Sequence, residues 1–283
     1  MKTIHLNRDN LRIWQEQAEP TVMALGCFDG LHIGHCEVIL TAMEKAKEKK
    51  VQLAVMSFFP HPKTVLTNGK KQIRYLMPLS EKEKRLQSLG VDVFYIVDFD
   101  IEFASLSPEQ FVVQYLAQLG VIHAVAGFDF CYGSRGAGNL DRLNRDSEGR
   151  IDITKVEKVT YRGEKISSSC IRERLLAGNV EELPHFMGSF YEVKCDWDGI
   201  ELTPQPYYTL PAPGCYAVTL KNKLNSLKTE IVVLPSPSHD VPTLTCTREI
   251  PPSLKGELSI VWQSLIMEEA VEAVDKRKLT HSF

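Results

Sequence analysis

No apolar run in the sequence approaches the roughly 18 residues that a membrane-spanning helix needs. The opening residues Met1-Lys2-Thr3-Ile4-His5-Leu6 also lack the long apolar stretch of a secretory signal. Both absences point to a cytoplasmic protein with no membrane partner. Positive charge is not in excess: 33 Lys+Arg stand against 36 Asp+Glu, a net charge of −3. No global positive field therefore holds a polyanion, and nucleic acid is not an expected partner. The seven cysteines are odd in number, scattered from Cys27 to Cys246 and never spaced as C-x-x-C. That argues against a disulfide framework and a structural zinc site, and leaves reduced thiols that pack as small apolar side chains. Internal repeats and low-complexity tracts are absent as well. What is present is a globular composition, with 43% of 283 residues apolar and 24% charged, enough to bury cores in two domains.

Between Thr21 and about Gly188, short β-branched runs alternate with helical patterns, as in parallel strands joined by crossover helices. Strands are expected at 22–26, 51–58, 91–97, 121–127 and 153–159. The first helix, over 34–49, carries Val38, Ile39, Ala42 and Ala46 on one face. Ser80 with Glu83 reads as a capping box, Ser107 before Pro108 puts proline at a first helical position, and Gly90 and Gly120 read as helix stops. After Gly188 the texture changes, with prolines at 204, 206, 211, 213, 235, 237, 251 and 252. Alternating runs at 215–220, 230–234 and 258–262 predict a small antiparallel β domain, closed by a helix over 265–277. The shift in composition sets the expected domains at 1–187 and 188–283.

The segment Gly26-Cys27-Phe28-Asp29-Gly30-Leu31-His32-Ile33-Gly34-His35 leaves the first strand and enters the first helix. Backbone N–H groups at a helix start form an anion site, and glycine lets a phosphate approach closely. His32 and His35 stand three apart there, so both imidazoles can face one phosphate and stabilise charge that builds on it during an in-line attack. Histidines near a turn are more often surface or core residues, but spacing, placement and the preceding Phe-Asp-Gly act together here. A zinc reading of the pair fails for want of a third ligand, and no metal residue is assigned.

These residues resemble the signature of the adenylyltransferase module of prokaryotic FAD synthetases, a branch of the H-x-G-H nucleotidylyltransferase superfamily. Phe58-Phe59-Pro60-His61-Pro62 is similar to the family's F-D-P-H-P loop, and Gly127-Phe128-Asp129-Phe130-Cys131-Tyr132-Gly133 to its G-x-[ND]-F-x-F-G loop. The stretch from Leu79 to Val113, with Glu81, Lys82, Gly90, Phe103, Ser107, Pro108 and Phe111, fits its connecting pattern. Ile166-Ser167-Ser168-Ser169-Cys170-Ile171-Arg172 resembles its V-S-S-T-R-I-R motif. The resemblance implies an α/β fold: a doubly wound, Rossmann-like parallel-sheet domain followed by a small antiparallel β-barrel-like domain. It also implies transfer of AMP from ATP to the phosphate of FMN, giving FAD and pyrophosphate. His32, His35, Asp129, Ser168 and Arg172 would be catalytic. ATP would be held by Gly26, Phe28, Asp29, Gly30, His32, Gly34, His35, Lys165, Ser168, Ser169 and Arg172, with Mg2+ carried in on its phosphates. Phe58, Pro60, His61, Pro62, Phe128, Phe130 and Tyr132 would bind the flavin. Small molecules are the implied partners, and a homo-oligomer stays open.

The sequence departs from the family at Phe59, which stands in place of Asp, at Ser169 in place of Thr, and at Cys170 where Arg is frequent. The second domain departs further. Leu210-Pro211-Ala212-Pro213-Gly214-Cys215-Tyr216-Ala217-Val218 resembles a strand of the family's riboflavin kinase barrel, but the G-x-P-T-x-N motif expected before it is missing. Glu249 aligns poorly with the kinase carboxylate. The implication is a degenerate kinase-like domain and an FAD synthase without riboflavin kinase activity. His32-Ile33-Gly34-His35 also spells the HIGH motif of class I aminoacyl-tRNA synthetases, yet no K-M-S-K-S segment follows. The remaining alternatives are an adenylyltransferase with another acceptor and a non-catalytic flavin or nucleotide regulator.

Overall fold

Thr21-Val22-Met23-Ala24-Leu25 is buried at every position, which requires cover on both faces and suits the middle of a parallel sheet. In the computed structural model, which describes residues 1–70, 72–235 and 242–267, this run is such a strand. Six strands build the sheet: β1 (Lys2–Leu6), β2 (Thr21–Leu25), β3 (Gln52–Phe59), β4 (Val93–Asp98), β5 (Val121–Gly127) and β6 (Asp152–Val156). Their order is β1-β4-β3-β2-β5-β6, and every pairing is parallel. Sequence order reverses at β2, whose neighbours β3 and β5 lead to opposite edges. Loops leaving the carboxyl ends of strands at such a switch point open a crevice for a ligand.

Helix α1 (Arg8–Glu16) follows β1 and is capped by a reciprocal Asn7–Asn10 box. Helix α2 (Ile33–Lys49) buries Val38, Ile39, Ala42 and Ala46, the face its periodicity predicts. Short helices α3 (Pro62–Leu66), α4 (Leu79–Ser88), α5 (Ile101–Ser105), α6 (Pro108–Phe111) and α7 (Leu140–Asp146) occupy the connections. Ser107 caps α6 with Pro108 in its first turn, as expected. Ser80 is not a cap, because α4 already begins at Leu79 and Ser80 lies inside it. Strand β1 and helix α1 precede the first expected strand and are additions to the sequence reading.

The chain divides into two compact units, Met1–Ile73 with Leu79–Thr160, and Arg74–Pro78 with Tyr161–Phe283. Division by compactness thus falls at Thr160/Tyr161, ahead of the compositional shift near Gly188. The second unit contains helix α8 (Ser168–Leu176) and a six-stranded antiparallel sheet. Its strands are β7 (Glu192–Trp197), β8 (Leu202–Pro204), β9 (Gly214–Lys221), β10 (Ser226–Leu234), β11 (Thr243–Cys246) and β12 (Gly256–Met267), in the order β8-β7-β12-β9-β10-β11. Edge strands β8 and β11 approach one another, so the sheet is barrel-like. Tyr216 and Trp262 meet edge to face in its interior. The helix expected over 265–277 is corrected at its start: Leu265–Met267 belong to β12, where Leu265 pairs with Tyr216 and Met267 with Cys215. Its remainder lies outside the described residues.

Candidate active site

β2 ends at Leu25, and the chain then turns through three residues of positive φ, Phe28 (48°), Gly30 (84°) and Leu31 (43°), before α2 begins. Left-handed geometry is natural for Gly30 and strained for Phe28 and Leu31. Burial holds the two strained residues, whose exposures are 1% and 2%. Gly26 is dictated by packing, since a Cβ there would come within 3.1 Å of the Phe28 ring. Asp29 is buried in the same turn.

His32 is the N-cap of α2, its Nδ1 accepting the His35 backbone N–H at 3.2 Å. An imidazole that accepts at Nδ1 carries its proton at Nε2, so the cap fixes His32 as an Nε2 donor. The rings of His32 and His35 stack at 3.6 Å, tilted by 17°. Phe28 meets His35 edge to face at 5.4 Å. The two histidines therefore stand together at the helix start, as their spacing predicts.

Beneath this turn lies Lys82 of α4, a residue the sequence offered only as part of a connecting pattern. Its Nζ donates to the Cys27 carbonyl at 2.8 Å and to Ser57 Oγ at 3.2 Å. Ser57 Oγ itself donates to the Cys27 carbonyl at 2.8 Å. Burial pushes the Lys82 ammonium below the ordinary lysine range, while Asp29 and Cys27 counter it by charge. A lysine four residues ahead of the fully buried Leu86, on one helix face, is the signal that marks it.

Cys27 also lines a cavity of about 550 Å³. Phe58, Pro62 and Tyr132, all expected at a flavin, line the same cavity, together with Phe99, Phe103, Phe111 and the loop 133–136. Phe103 and Phe111 belong to the connecting pattern, whereas Phe99 carried no signal. Pro60, His61, Phe128 and Phe130 do not line it. His61 caps α3, with Nδ1 accepting from the Lys63 N–H at 3.1 Å. Phe128 and Asp129 are exposed in the turn after β5, and Phe130 packs beside Tyr132 at 6.1 Å. Tyr132 is anchored through its hydroxyl, which donates to Asp146 Oδ2 at 2.7 Å. Arg142 Nε donates to the same oxygen at 2.8 Å and pairs with Glu109. Burial first, and then Asp146, raise the Tyr132 hydroxyl above the ordinary phenol range, so it stays a donor.

Lys165, Ser168, Ser169 and Arg172 belong to the second unit: the serines and the arginine lie in the first turns of α8, and Lys165 ends a two-residue strand just ahead of its cap. Ser167, rather than Ser168, is the cap, with Oγ accepting from the Cys170 N–H at 3.2 Å. Cys170 Sγ accepts in return from the Ser167 N–H at 3.2 Å, a capping box with a thiol where glutamate or glutamine is usual. Ser168 and Ser169 are the first two helical residues. Arg172 Nε donates to the Arg74 carbonyl at 2.9 Å, and Nη1 donates to the Ser168 carbonyl at 3.2 Å.

A Rossmann-like parallel sheet with an H-x-G-H turn at its switch strand, and a barrel-like β unit after it, define the nucleotidyltransferase type of fold. More narrowly, the chain belongs to the FAD synthetase family, whose model matches residues 14–170. An FAD synthetase of Listeria monocytogenes is 32% identical over 203 residues, covering 71% of this chain and 82% of that protein. The bifunctional riboflavin kinase/FMN adenylyltransferase of Bacillus subtilis is 47% identical over 194 residues, 69% of this chain and 61% of that protein. Its Listeria monocytogenes counterpart is 44% identical over 195 residues, 69% and 62% of the two chains. The matched region thus spans less than two thirds of the length of these bifunctional relatives. In three dimensions, a solved structure named macrolide-efflux protein from Streptococcus pneumoniae superposes with a TM-score of 0.80 over 99% of this chain and 97% of its own. At 23% identity that likeness is one of fold alone.

Proposed function

We propose that the protein is an FMN adenylyltransferase that joins AMP from ATP to the phosphate of FMN, releasing pyrophosphate, and that it lacks riboflavin kinase activity. The observation that carries this reading is a shared wall: Cys27 belongs both to the turn that leads to the stacked histidines and to the apolar cavity lined by Phe58 and Tyr132. An apolar slot beside a phosphate-type turn suits a planar ring system that ends in a phosphate. In the reaction an FMN phosphate oxygen forms a bond to the α-phosphorus of ATP, and the bond from that phosphorus to the β-phosphate bridging oxygen breaks. The electron pair leaves with pyrophosphate. His32, held as an Nε2 donor, stabilises charge on the α-phosphate as it develops, together with His35. Asp129, Lys165, Ser168, Ser169 and Arg172 serve the nucleotide, with the arginine fork suited to pyrophosphate. Bound to ATP as part of the substrate, Mg2+ would supply neutralisation of the phosphate charge.

Residues 1–187 form the adenylyltransferase module in this reading, and 188–283 the degenerate kinase-like one. Free thiols throughout and the use of ATP suit the cytoplasm. Purified protein given FMN, ATP and Mg2+ should form FAD and pyrophosphate, resolved by chromatography. With riboflavin in place of FMN, neither FMN nor FAD should form. FMN binding without turnover would favour a regulator, and turnover only with another phosphate acceptor would overturn the assigned substrate.

A further inference from the structure

In the barrel-like unit the segment leading into the Leu210–Val218 motif carries no G-x-P-T-x-N nucleotide motif. Arg74 and Tyr75 lie along that segment. The Tyr75 N–H donates to the Tyr207 carbonyl at 2.7 Å, the Thr209 N–H donates to the Tyr75 carbonyl at 2.7 Å, and Tyr75 bridges Tyr208 in parallel register. Thr209 Oγ1 lies 3.0 Å from both the Arg74 and the Tyr75 carbonyl oxygens. Arg172 Nε donates to that same Arg74 oxygen at 2.9 Å. The single Thr209 hydroxyl proton serves one of these two oxygens at a time; turned toward Arg74, it lets that carbonyl spend its two lone pairs on the arginine and the threonine together. Thr209 is itself held, 3% exposed, with its carbonyl accepting the hydroxyl of the buried Tyr191 at 2.8 Å. The chain of contacts runs without interruption from the barrel to the guanidinium.

We propose that Thr209 is a positioning residue for Arg172, and that the kinase-like barrel is retained because it holds the Arg74 carbonyl that orients this arginine. The proposal deepens the adenylyltransferase reading and rests on it. A free arginine side chain surrenders rotamer entropy when it grips pyrophosphate. Fixing Nε on Arg74 and Nη1 on Ser168 sets the plane of the guanidinium beforehand, so less is lost on binding. A barrel with no kinase chemistry then still affects catalysis through a single backbone oxygen.

The test is a double-mutant cycle on the full chain with Thr209→Val, Arg172→Ala and their combination, reading kcat and KM for ATP and for FMN. Thr209→Val should lower kcat/KM for ATP about 5-fold, the scale of one hydrogen bond, with KM for FMN unchanged. Thr209→Ser should restore the rate, and Thr209→Val should cost nothing further once Arg172 is alanine. An equal loss in both backgrounds would show a general structural role and overturn the proposal. So would wild-type kinetics in Thr209→Val alongside a large loss in Arg172→Ala. Full turnover in Arg172→Ala would instead defeat the assigned role of the arginine, and the proposal with it. Calorimetric affinity for Mg-ATP, measured on the same variants, reads the coupling even if FMN is not the acceptor. Thr209→Ala replaces the valine variant if thermal melting shows that the latter does not fold.

Discussion

In the proposed mechanism His32 has two jobs on one ring: Nδ1 closes the first turn of α2 and Nε2 carries the proton donated to the phosphate. Alanine there removes the cap and the donor together. FAD formation in His32→Ala should fall about 100-fold or more, the usual loss for one transition-state donor. The missing cap should cost only about 1 kcal/mol of stability. Retention of full turnover in an initial-rate assay would refute the role. Lys82 behaves differently, because its ammonium is buried against the Cys27 carbonyl and beside the buried Asp29. Lys82→Met takes the ammonium away from the Cys27 carbonyl and the Ser57 hydroxyl. We expect a loss of about 2 kcal/mol in urea unfolding, the scale of a charged hydrogen bond to a buried acceptor. Turnover should fall too, since the turn ahead of His32 loses an anchor. An unchanged unfolding midpoint would show that the ammonium does not support this loop.

At the scale of elements, the cavity wall depends on a glycine. Gly133 has φ of 72°, and a Cβ on it would stand 2.7 Å from the Pro108 backbone nitrogen at the start of α6. Gly133→Ala must push the loop 133–136 away from α6, so FMN affinity by fluorescence quenching should weaken at least 10-fold, while Gly149→Ala, with open space around its Cβ, should leave it unchanged. Equal FMN affinity in both variants would exclude the loop from the binding wall. The sequence made β2, the turn and α2 legible because burial, glycines and the histidine spacing all coincide there. It did not reveal β1, which buries only Ile4 and Leu6 and takes its place by pairing with β4. The Ser80 box failed because the pattern S-x-x-E also arises inside a helix that has already begun. Cys170 went unread as a capping partner because a thiol seldom plays that part. The Arg74 carbonyl that orients Arg172 had no sequence signature at all, since every residue carries a carbonyl and only the fold selects which one meets a guanidinium.

For the molecule as a whole, His123 predicts a response to acid. It lies buried on β5, with Nε2 2.8 Å from Thr154 Oγ1. Burial lowers its imidazole below the ordinary histidine value of 6.5, helped by Lys49 and Lys45 and opposed by Asp152 and Glu48. The unfolded chain therefore takes up a proton that the native state refuses. Stability should be level in this respect above pH 6.5 and should decline as pH falls below it, because the unfolded state then binds more protons. Thermal midpoints at pH 7.5 and 5.5 should converge in His123→Gln relative to the parent. An identical drop in both proteins would assign the acid response to other groups.

The excursion of Arg74–Pro78 into the second unit makes the polypeptide cross between units at 73/74, 78/79 and 160/161. A protease nick at 160/161 would accordingly not yield two autonomous pieces. Fragment 1–160 would still carry Tyr75, whose backbone is laced to Tyr207 and Thr209 on the other fragment. Two such halves, made from separate genes, should find each other and assemble, because the seam between the fragments is not the seam between the folded bodies.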